Sequence, residues 1–389
     1  MKRMRSVTRL DARGKRILVR LDLDVEVKNN MVVDDTRLKA AISTLKLLLK
    51  QKASIILIGH RGRPHGKTSQ DLSLKPVCVH LARLLKQKIE FATEFNKITP
   101  TRKNKIIMLE NLRFNFGEES SNKSFAQKLA SLADAYVNES FATSHENHAS
   151  IALVPKYLQG YAGIQFEKEV ASLDKLKNPE KPFMIIIGGA KAHDKIPILK
   201  QLSKKADMIL LGGVMANTFL AANGMNTGNS IVNKECFAAA RRLMKTANIL
   251  MPVDVVVKID KNTQIVSTNS IPKKAAIQDI GPVTTIAYQT KLRSAKTILW
   301  NGPLGIAEKP EFAHSTIAIA KYISKLKATT IITGGDTDAV IHKLGLAKKF
   351  THLSTGGGAA LALLSGETLA GIAALNNSCV SFKKARRET

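Results

Sequence analysis

Residues 184–195 read Met184-Ile185-Ile186-Ile187-Gly188-Gly189-Ala190-Lys191-Ala192-His193-Asp194-Lys195. The apolar run is short, and it reads as a strand buried on both faces, the habit of parallel sheets. The glycine pair stops the strand, and the polar stretch behind it starts a helix. The same order recurs in the second half of the chain. Met208–Leu211 runs into Gly212-Gly213-Val214-Met215-Ala216-Asn217, and Thr297–Trp300 into Asn301-Gly302-Pro303. Thr330–Ile332 is followed by Gly334-Gly335-Asp336-Thr337, and His352–Ser354 by Thr355-Gly356-Gly357-Gly358. Ile249–Met251 is a further short apolar run. In an open parallel sheet, loops of this kind all lie at the carboxyl ends of the strands, where ligands bind. Glycine lets backbone N–H groups approach phosphate oxygens, and a helix beginning there adds its positive end. Five glycine loops in register therefore predict a phosphate-bearing ligand, and Asp336 is placed to meet Mg²⁺. Lys191 and Lys195, one turn apart at a helix start, are expected to aim at the same ligand.

The first half repeats the alternation with different chemistry. Ile17–Leu21, Ser54–Ile58, Ile106–Leu109 and Ala135–Val137 read as strands; Thr36–Lys50, Pro76–Leu85 and Phe125–Leu132 read as helices. Charged residues follow these strands in place of glycine clusters: Asp22 and Asp24, then His60 and Arg63, then Arg113, with His145 and His148 after the last. Arg37 opens the first helix. Arginine forks suit carboxylate and phosphate oxygens, so this end is read as a site for a small anion. The alternation gives an α/β fold class with two doubly wound, Rossmann-like parallel-sheet lobes and a substrate cleft between them. The expected domains are an N-terminal lobe, 1–160, an interdomain helix and linker, 161–182, and a C-terminal lobe, 183–370. A tail, 371–389, is open to a return to the first lobe. Phe166–Leu176 is the helix of the linker.

The chain has 389 residues, ample for two cores. Its 60 Lys and Arg against 31 Asp and Glu give a net charge of +29. A nucleic-acid binder would fit that charge, but the surplus is spread over both halves. The longest basic run is Lys383–Arg387, and the basic-aromatic motifs of recognition modules are lacking. Gly-x-Gly-x-x-Gly follows none of the strands. Gly66-Lys67-Thr68 fails as a Walker A loop, because Arg61 stands where its first glycine is required. Cys78, Cys236 and Cys379 are three, far apart and without a Cys-x-x-Cys pair, so a reducing cytoplasm is expected rather than disulfides or zinc. No apolar h-region of signal-peptide kind follows the basic stretch Met1–Arg16 directly, and Gly356–Leu375 is too rich in glycine to be read as a membrane span, a glycine-rich loop followed by small-residue packing being expected there.

These residues carry a resemblance. Val19–Val25, Asp34-Asp35-Thr36-Arg37, Gly59–Pro64, Leu109–Phe114, Val137–Ser150, Gly188–Ile196, Gly212–Leu220, Pro252-Val253-Asp254, Asp279–Pro282, Trp300–Gly305, Gly334–Asp336 and Ser354–Ala359 together resemble phosphoglycerate kinases, in that family's order and over nearly the whole chain. The resemblance implies a monomeric cytoplasmic enzyme of glycolysis. It would transfer a phosphoryl group from 1,3-bisphosphoglycerate to ADP, giving 3-phosphoglycerate and ATP, with Mg²⁺ and without membrane or specific nucleic-acid partners. By the same likeness, Asp22 and Arg37 hold the glycerate hydroxyl and carboxylate end. His60, Arg63 and Arg113 hold the phosphate that stays. Arg37 and Lys195 are the catalytic cations. Lys191 grips nucleotide phosphates, and Gly334, Gly335 and Thr337 cradle them. Asp336 holds Mg²⁺, Glu308 reaches the ribose, Asn301 lies beside the triphosphate, and Gly188, Gly213 and Gly281 belong to the nucleotide site. The chain departs from the family's pattern at Asp24, Glu26, Arg61, Ala142 and Glu146, where Asn, Pro, Leu, Gly and Arg are usual. Asp24 and Glu146 thus remain in the expected substrate set with altered charge, which leaves open a weakened nucleotide-binding paralogue. Glu146 is open to pairing with His145, His148 or a nearby cation; the expectation preferred is that Arg61, beside His60, partly replaces the lost cation, directly or by neutralising Glu146.

Overall fold

The computed structural model describes residues 4–95 and 105–385, with the backbone alone for 379–385; the side chains of Cys379 and of the run Lys383–Arg387 lie outside the described residues. The chain forms two compact units, one of Met1–Val170 with Thr368–Thr389, the other of Ala171–Glu367.

The first unit is built on β1 (Arg16–Arg20), the hairpin β2 (Val27–Lys28) and β3 (Met31–Val32), α1 (Thr36–Lys50), β4 (Ser54–Ile58), α2 (Lys75–Leu85), β5 (Ile89–Ala92) and β6 (Ile106–Leu109). Then come α3 (Phe116–Glu119), α4 (Lys123–Ser131), β7 (Ala135–Asn138), α5 (Val154–Tyr157) and β8 (Gly160–Ala162). Six of these strands form one sheet in the order β5-β6-β4-β1-β7-β8, every neighbouring pair parallel. Ile17, Leu18 and Val19 of β1 and Ile55–Ile58 of β4 are buried, which explains their unbroken apolar runs. Leu38, Ala41, Leu45 and Leu48 form the inward stripe of α1 and join the same core. β5 and β8 were not legible as strands. Ile89–Ala92 contains an acid, and Gly160–Ala162 is too short to show a period.

α6 (Ile164–Asp174) and a 3-10 turn, Lys175–Lys177, occupy the segment expected as the linker, and the division between the units falls within α6. The second unit begins with β9 (Phe183–Ile187), α7 (Ala192–Leu202), β10 (Met208–Leu211), α8 (Gly213–Ala222), α9 (Phe237–Thr246) and β11 (Ile249–Leu250). A three-stranded antiparallel sheet follows, from β12 (Asp254–Ile259), β13 (Asn262–Ser267) and β14 (Ala276–Ile280). It continues with α10 (Pro282–Leu292), β15 (Thr297–Asn301), α11 (His314–Ile323), β16 (Thr329–Thr333), α12 (Gly335–Lys343), β17 (His352–Ser354) and α13 (Gly357–Leu364). The main sheet runs β11-β10-β9-β15-β16-β17, all parallel. The chain starts in the middle at β9, moves outward to β11, and returns to the other side of β9 at β15. The strand order therefore reverses between β9 and β15, the point in a doubly wound sheet where ligands bind.

The antiparallel sheet was not expected. It packs its own small core of Val255, Val257, Ile271 and Ala275. Gly356–Leu375 holds α13 and the start of α14 (Ala370–Ala385), with Gly356, Gly357 and Gly358 at the entry to α13. α14 returns to the first unit, where it packs on α5, β8 and the π-helical turn Ala149–Leu153. Gly371 N–H donates to Ser144 O at 2.9 Å. A Cβ at Gly160 would stand 2.9 Å from Leu375 Cδ2, so glycine there lets the helix seat closely on the strand. Among the described residues, no helix is long and apolar enough to cross a membrane.

Candidate active site

In the first unit the carboxyl ends of β1, β4, β6 and β7 converge. Asp22 follows β1 and its Oδ1 accepts from Arg37 Nη1 at 3.1 Å. Burial pushes the Asp22 carboxyl up while the Arg37 charge pulls it down. The same Arg37 nitrogen donates to Asp24 O at 3.1 Å. Asp24 turns its carboxylate to the loop after β4, where Gly62 N–H donates to Oδ1 at 2.9 Å and His60 Nε2 stands 4.0 Å from Oδ2. Arg113 follows β6, donates from Nη1 to Gly62 O at 2.8 Å and from Nη2 to Glu146 Oε2 at 2.7 Å. Six of the seven expected substrate residues are thus one connected set. The seventh, Arg63, is exposed beside Gly62.

Behind this set lies a buried chain that the sequence reading missed. Arg20, fully buried at the end of β1, donates from Nε to Ser150 Oγ at 3.0 Å. Ser150 Oγ donates in turn to Glu118 Oε1 at 2.5 Å, and Ser150 N–H to Oε2 at 2.9 Å. Arg20 Nη2 reaches His60 Nδ1 at 2.8 Å. Arginine has no lone pair to offer, so Nδ1 must accept and the ring proton sits on Nε2. Burial, with the charges of Arg20 and Arg113, holds the His60 pKa well below its usual value, which keeps the ring neutral. Its Nε2–H is therefore a fixed donor at the strand ends. A charged residue inside the run Ile17-Leu18-Val19-Arg20-Leu21 was the available signal, because a buried guanidinium requires partners.

Arg61 does not do what was expected of it. Its guanidinium is turned inward, donating from Nε to Val25 O at 3.2 Å and from Nη1 to Asp71 O at 2.6 Å and Ser73 O at 3.3 Å. It ties loops together, and its hydrogen bonds all go to carbonyls. Glu146 is neutralised by Arg113, as above, and His148 stands close by, its Nδ1 3.1 Å from Oε2 and off the line of a good hydrogen bond. Burial works to raise the Glu146 carboxyl, but its polar neighbours, the Arg113 charge among them, outweigh it and hold the group well below the usual carboxylate range.

In the second unit the loops after β9 and β15 meet at the switch point. Gly188 N–H donates to Asn301 O at 2.9 Å and Gly189 N–H to Pro303 O at 2.7 Å. A Cβ at Gly188 would fall 1.9 Å from Pro303 O, so only glycine permits this approach. Lys195, buried in the first turn of α7, donates from Nζ to Gly188 O, over Gly189 and Gly302. Burial lowers its pKa to about 8, with Asp336 and Asp194 opposing. Lys191 caps the start of α7 and is exposed, so the two lysines differ in environment rather than forming a matched pair. After β15, Asn301 Nδ2 donates to Thr333 Oγ1 at 2.8 Å, leaving its buried Oδ1 without a protein partner, as is the buried Thr337 Oγ1. Gly334 has φ of +99°, and Gly335 and Asp336 form the exposed first turn of α12.

Beside these loops is a cavity of ≈ 400 Å³. Gly213, Glu308 and Asp336 of the expected set line it. The sequence reading missed its largely apolar wall, Val255, Ala276, Ile277 and Ile280, and the amide of Asn217. The β-branched run Asp254–Ile259 was the signal for that wall. Gly281 does not line the cavity. It caps α10, and a Cβ there would lie 2.2 Å from Asp254 Cγ.

The family model described as phosphoglycerate kinase matches residues 7–367. A phosphoglycerate kinase of Desulfosudis oleivorans is 41% identical, over 96% of this chain and 99% of its own length. One of Herpetosiphon aurantiacus is 43% identical over 94% and 97%. The solved phosphoglycerate kinase structure from Coxiella burnetii superposes with a TM-score of 0.88 at 34% identity, covering 96% of this chain and 99% of that one. The fold and the relatives are those of a phosphotransferase. The chain belongs to the phosphoglycerate kinase family.

Proposed function

We propose that this chain catalyses reversible phosphoryl transfer between 1,3-bisphosphoglycerate and ADP, giving 3-phosphoglycerate and ATP. The observation that carries the reading is the contrast between the two sets of strand ends. One unit gathers His60, Arg113, Arg37 and Asp22 into a polar set suited to a small anion. The other gathers glycine loops, a buried lysine and a cavity whose size suits a nucleoside. Phosphoryl transfer asks for positioning and charge neutralisation more than for covalent chemistry, and both units offer that.

In this reading Asp22 and Arg37 hold the hydroxyl and carboxylate end of glycerate, and His60, Arg63 and Arg113 its remaining phosphate. The apolar wall of β12 and β14 takes the base and Glu308 the ribose. Asn301 Oδ1 and Thr337 Oγ1, both buried without protein partners, face the need that a phosphate-bound ligand would meet. Lys195 supplies a cation with little water around it, worth most where charge spreads on the phosphoryl group. Arg37 serves the acyl end. For the metal, no group of three His, Cys, Asp or Glu side chains able to hold an ion occurs among the described residues. That suits Mg²⁺ carried by a nucleotide, which takes one or two protein carboxylates and phosphate oxygens for the rest. Asp336 is the carboxylate at the cavity, and bound Mg²⁺ would neutralise phosphate charge there.

The reading includes a cytoplasmic monomer, and the buried free thiols of Cys78 and Cys236 accord with a reducing compartment. Nothing in the comparisons favours the alternative of a weakened nucleotide-binding paralogue. A coupled assay for ATP-dependent phosphorylation of 3-phosphoglycerate tests the proposal. Turnover dependent on both substrates is expected, and its absence from folded, nucleotide-binding protein would sink it.

A further inference from the structure

The loop after β7 sets a carboxylate on Arg113, a cation assigned above to the substrate phosphate. Glu146 Oε2 stands 2.7 Å from Arg113 Nη2 and 3.1 Å from His148 Nδ1. The Arg113 side chain is 4% exposed and that of Glu146 22%, so the guanidinium is sequestered while the acid keeps a face to water. A second acid, Glu119, lies 3.7 Å from Arg113 Nε without making a hydrogen bond, and that Nε has no partner. One N–H edge of the fork is thus taken by the Gly62 carbonyl and Glu146, and Nε remains unmet. The Glu146 carboxyl is held well below the usual carboxylate range, so it is an anion across the neutral pH region. Its oxygen makes to Arg113 the charge-assisted contact that a phosphate oxygen would make.

We propose that Glu146 is an internal anion that competes with the phosphate of the glycerate substrate for Arg113, and so sets the affinity and anion selectivity of this site. The proposal rests on the assignment of Arg113 to that phosphate. An incoming phosphate must either displace the carboxylate or bind beside it. Displacement breaks a charge-assisted contact, though the freed carboxylate regains water at its exposed face. Binding beside it brings two negative charges together in a half-buried place. Both routes weaken binding: displacement costs every anion the same contact, so an anion with few other contacts is left largely unbound, whereas repulsion beside the carboxylate grows with the ligand's charge. Selectivity built from a repulsive group in this way discriminates against poor ligands.

The experiment compares wild type, Glu146→Gln and Arg113→Ala. It measures KM for 3-phosphoglycerate, KM for ATP, and direct binding of inorganic sulfate and of acetate by calorimetry. Glu146→Gln keeps the shape and an acceptor oxygen for Arg113, and its thermal midpoint reports the fold. The expected result is a KM for 3-phosphoglycerate lower by about 10-fold. Sulfate binding tightens similarly, acetate binding tightens by no more than sulfate, and KM for ATP does not move. If Glu146→Gln raises KM for 3-phosphoglycerate, Glu146 positions Arg113 and the inference is overturned. No change in KM and in sulfate binding overturns it equally. Arg113→Ala separates the two levels of the argument. If that variant leaves KM for 3-phosphoglycerate unchanged, the assignment of Arg113 fails. If it raises KM while Glu146→Gln does not lower it, the assignment stands and only the internal-anion role falls.

Discussion

Lys195 shows what a single side chain gains and risks by burial. Beneath the Gly188-Gly189 turn it has lost most of its water, and its pKa falls to about 8. A cation in that state is worth more to a developing phosphoryl charge, but it lies close to losing its proton. The sign follows: the charged form is present below about pH 8 and is lost above it. The expected outcome is that kcat/KM for ATP falls as pH rises through about 8 and that Lys195→Arg, which stays protonated, removes this limb while lowering the rate at pH 7. A pH–rate profile that is flat to pH 9.5 in wild type would remove Lys195 from the chemistry. At this scale the sequence was informative about which residues carry charge at the strand ends and uninformative about their partners. Arg61 and Arg113 read alike as arginines after apolar runs. One bonds only to carbonyls, and the other carries Glu146, because a side chain's direction depends on loops whose course no period encodes.

Elements in this chain are held by acids that reach across from other elements. Asp254, at the start of β12, accepts from Val283 N–H at 3.0 Å and Thr284 N–H at 2.8 Å, capping α10 from a distance of some thirty residues in sequence. Asp254→Asn would turn an NH₂ group toward one of those donors, and an expected loss of about 2 kcal/mol follows, measurable by denaturant titration. Glu139, after β7, does the same for α6, accepting from Gln165 N–H at 3.2 Å and Phe166 N–H at 3.1 Å. Burial raises its pKa to about 7. With the folded pKa above the unfolded one, its favourable contribution is complete below about pH 4.3 and is lost as pH rises through 7. Wild type should therefore lose on the order of 3 kcal/mol more stability between pH 5 and pH 8 than Glu139→Gln does. Equal pH slopes for the two proteins would show that Glu139 does not titrate in this window. α1, α2, α4, α6 and the central strands of both sheets were legible because burial on one or both faces imposes a pattern. β12 to β14 were not, since β13 is almost wholly exposed and the burial of β12 and β14 follows no clean alternation.

Across the whole molecule, the polypeptide enters one unit, leaves it, completes the other and comes back. Residues 171–367 are contiguous, whereas the first unit needs residues on both sides of that span. Ser6 bridges to Ala162 near one end, and α14 lies on β8 near the other. This arrangement has a consequence for synthesis. A ribosome delivers the chain at about 5–20 residues per second, so the later unit has every residue it requires well before α14 leaves the exit tunnel. The earlier-made unit must wait, with the π-helical turn, α5 and β8 uncovered, until α14 has been made. Ribosome-stalled chains carrying an unstructured extension would show the order directly by limited proteolysis. Protection of 171–367 is expected at shorter total lengths than full protection of 1–170. The unit begun earlier would then finish folding later, and the interval between the emergence of residue 170 and that of α14 is when a nascent-chain chaperone would find the most exposed apolar surface.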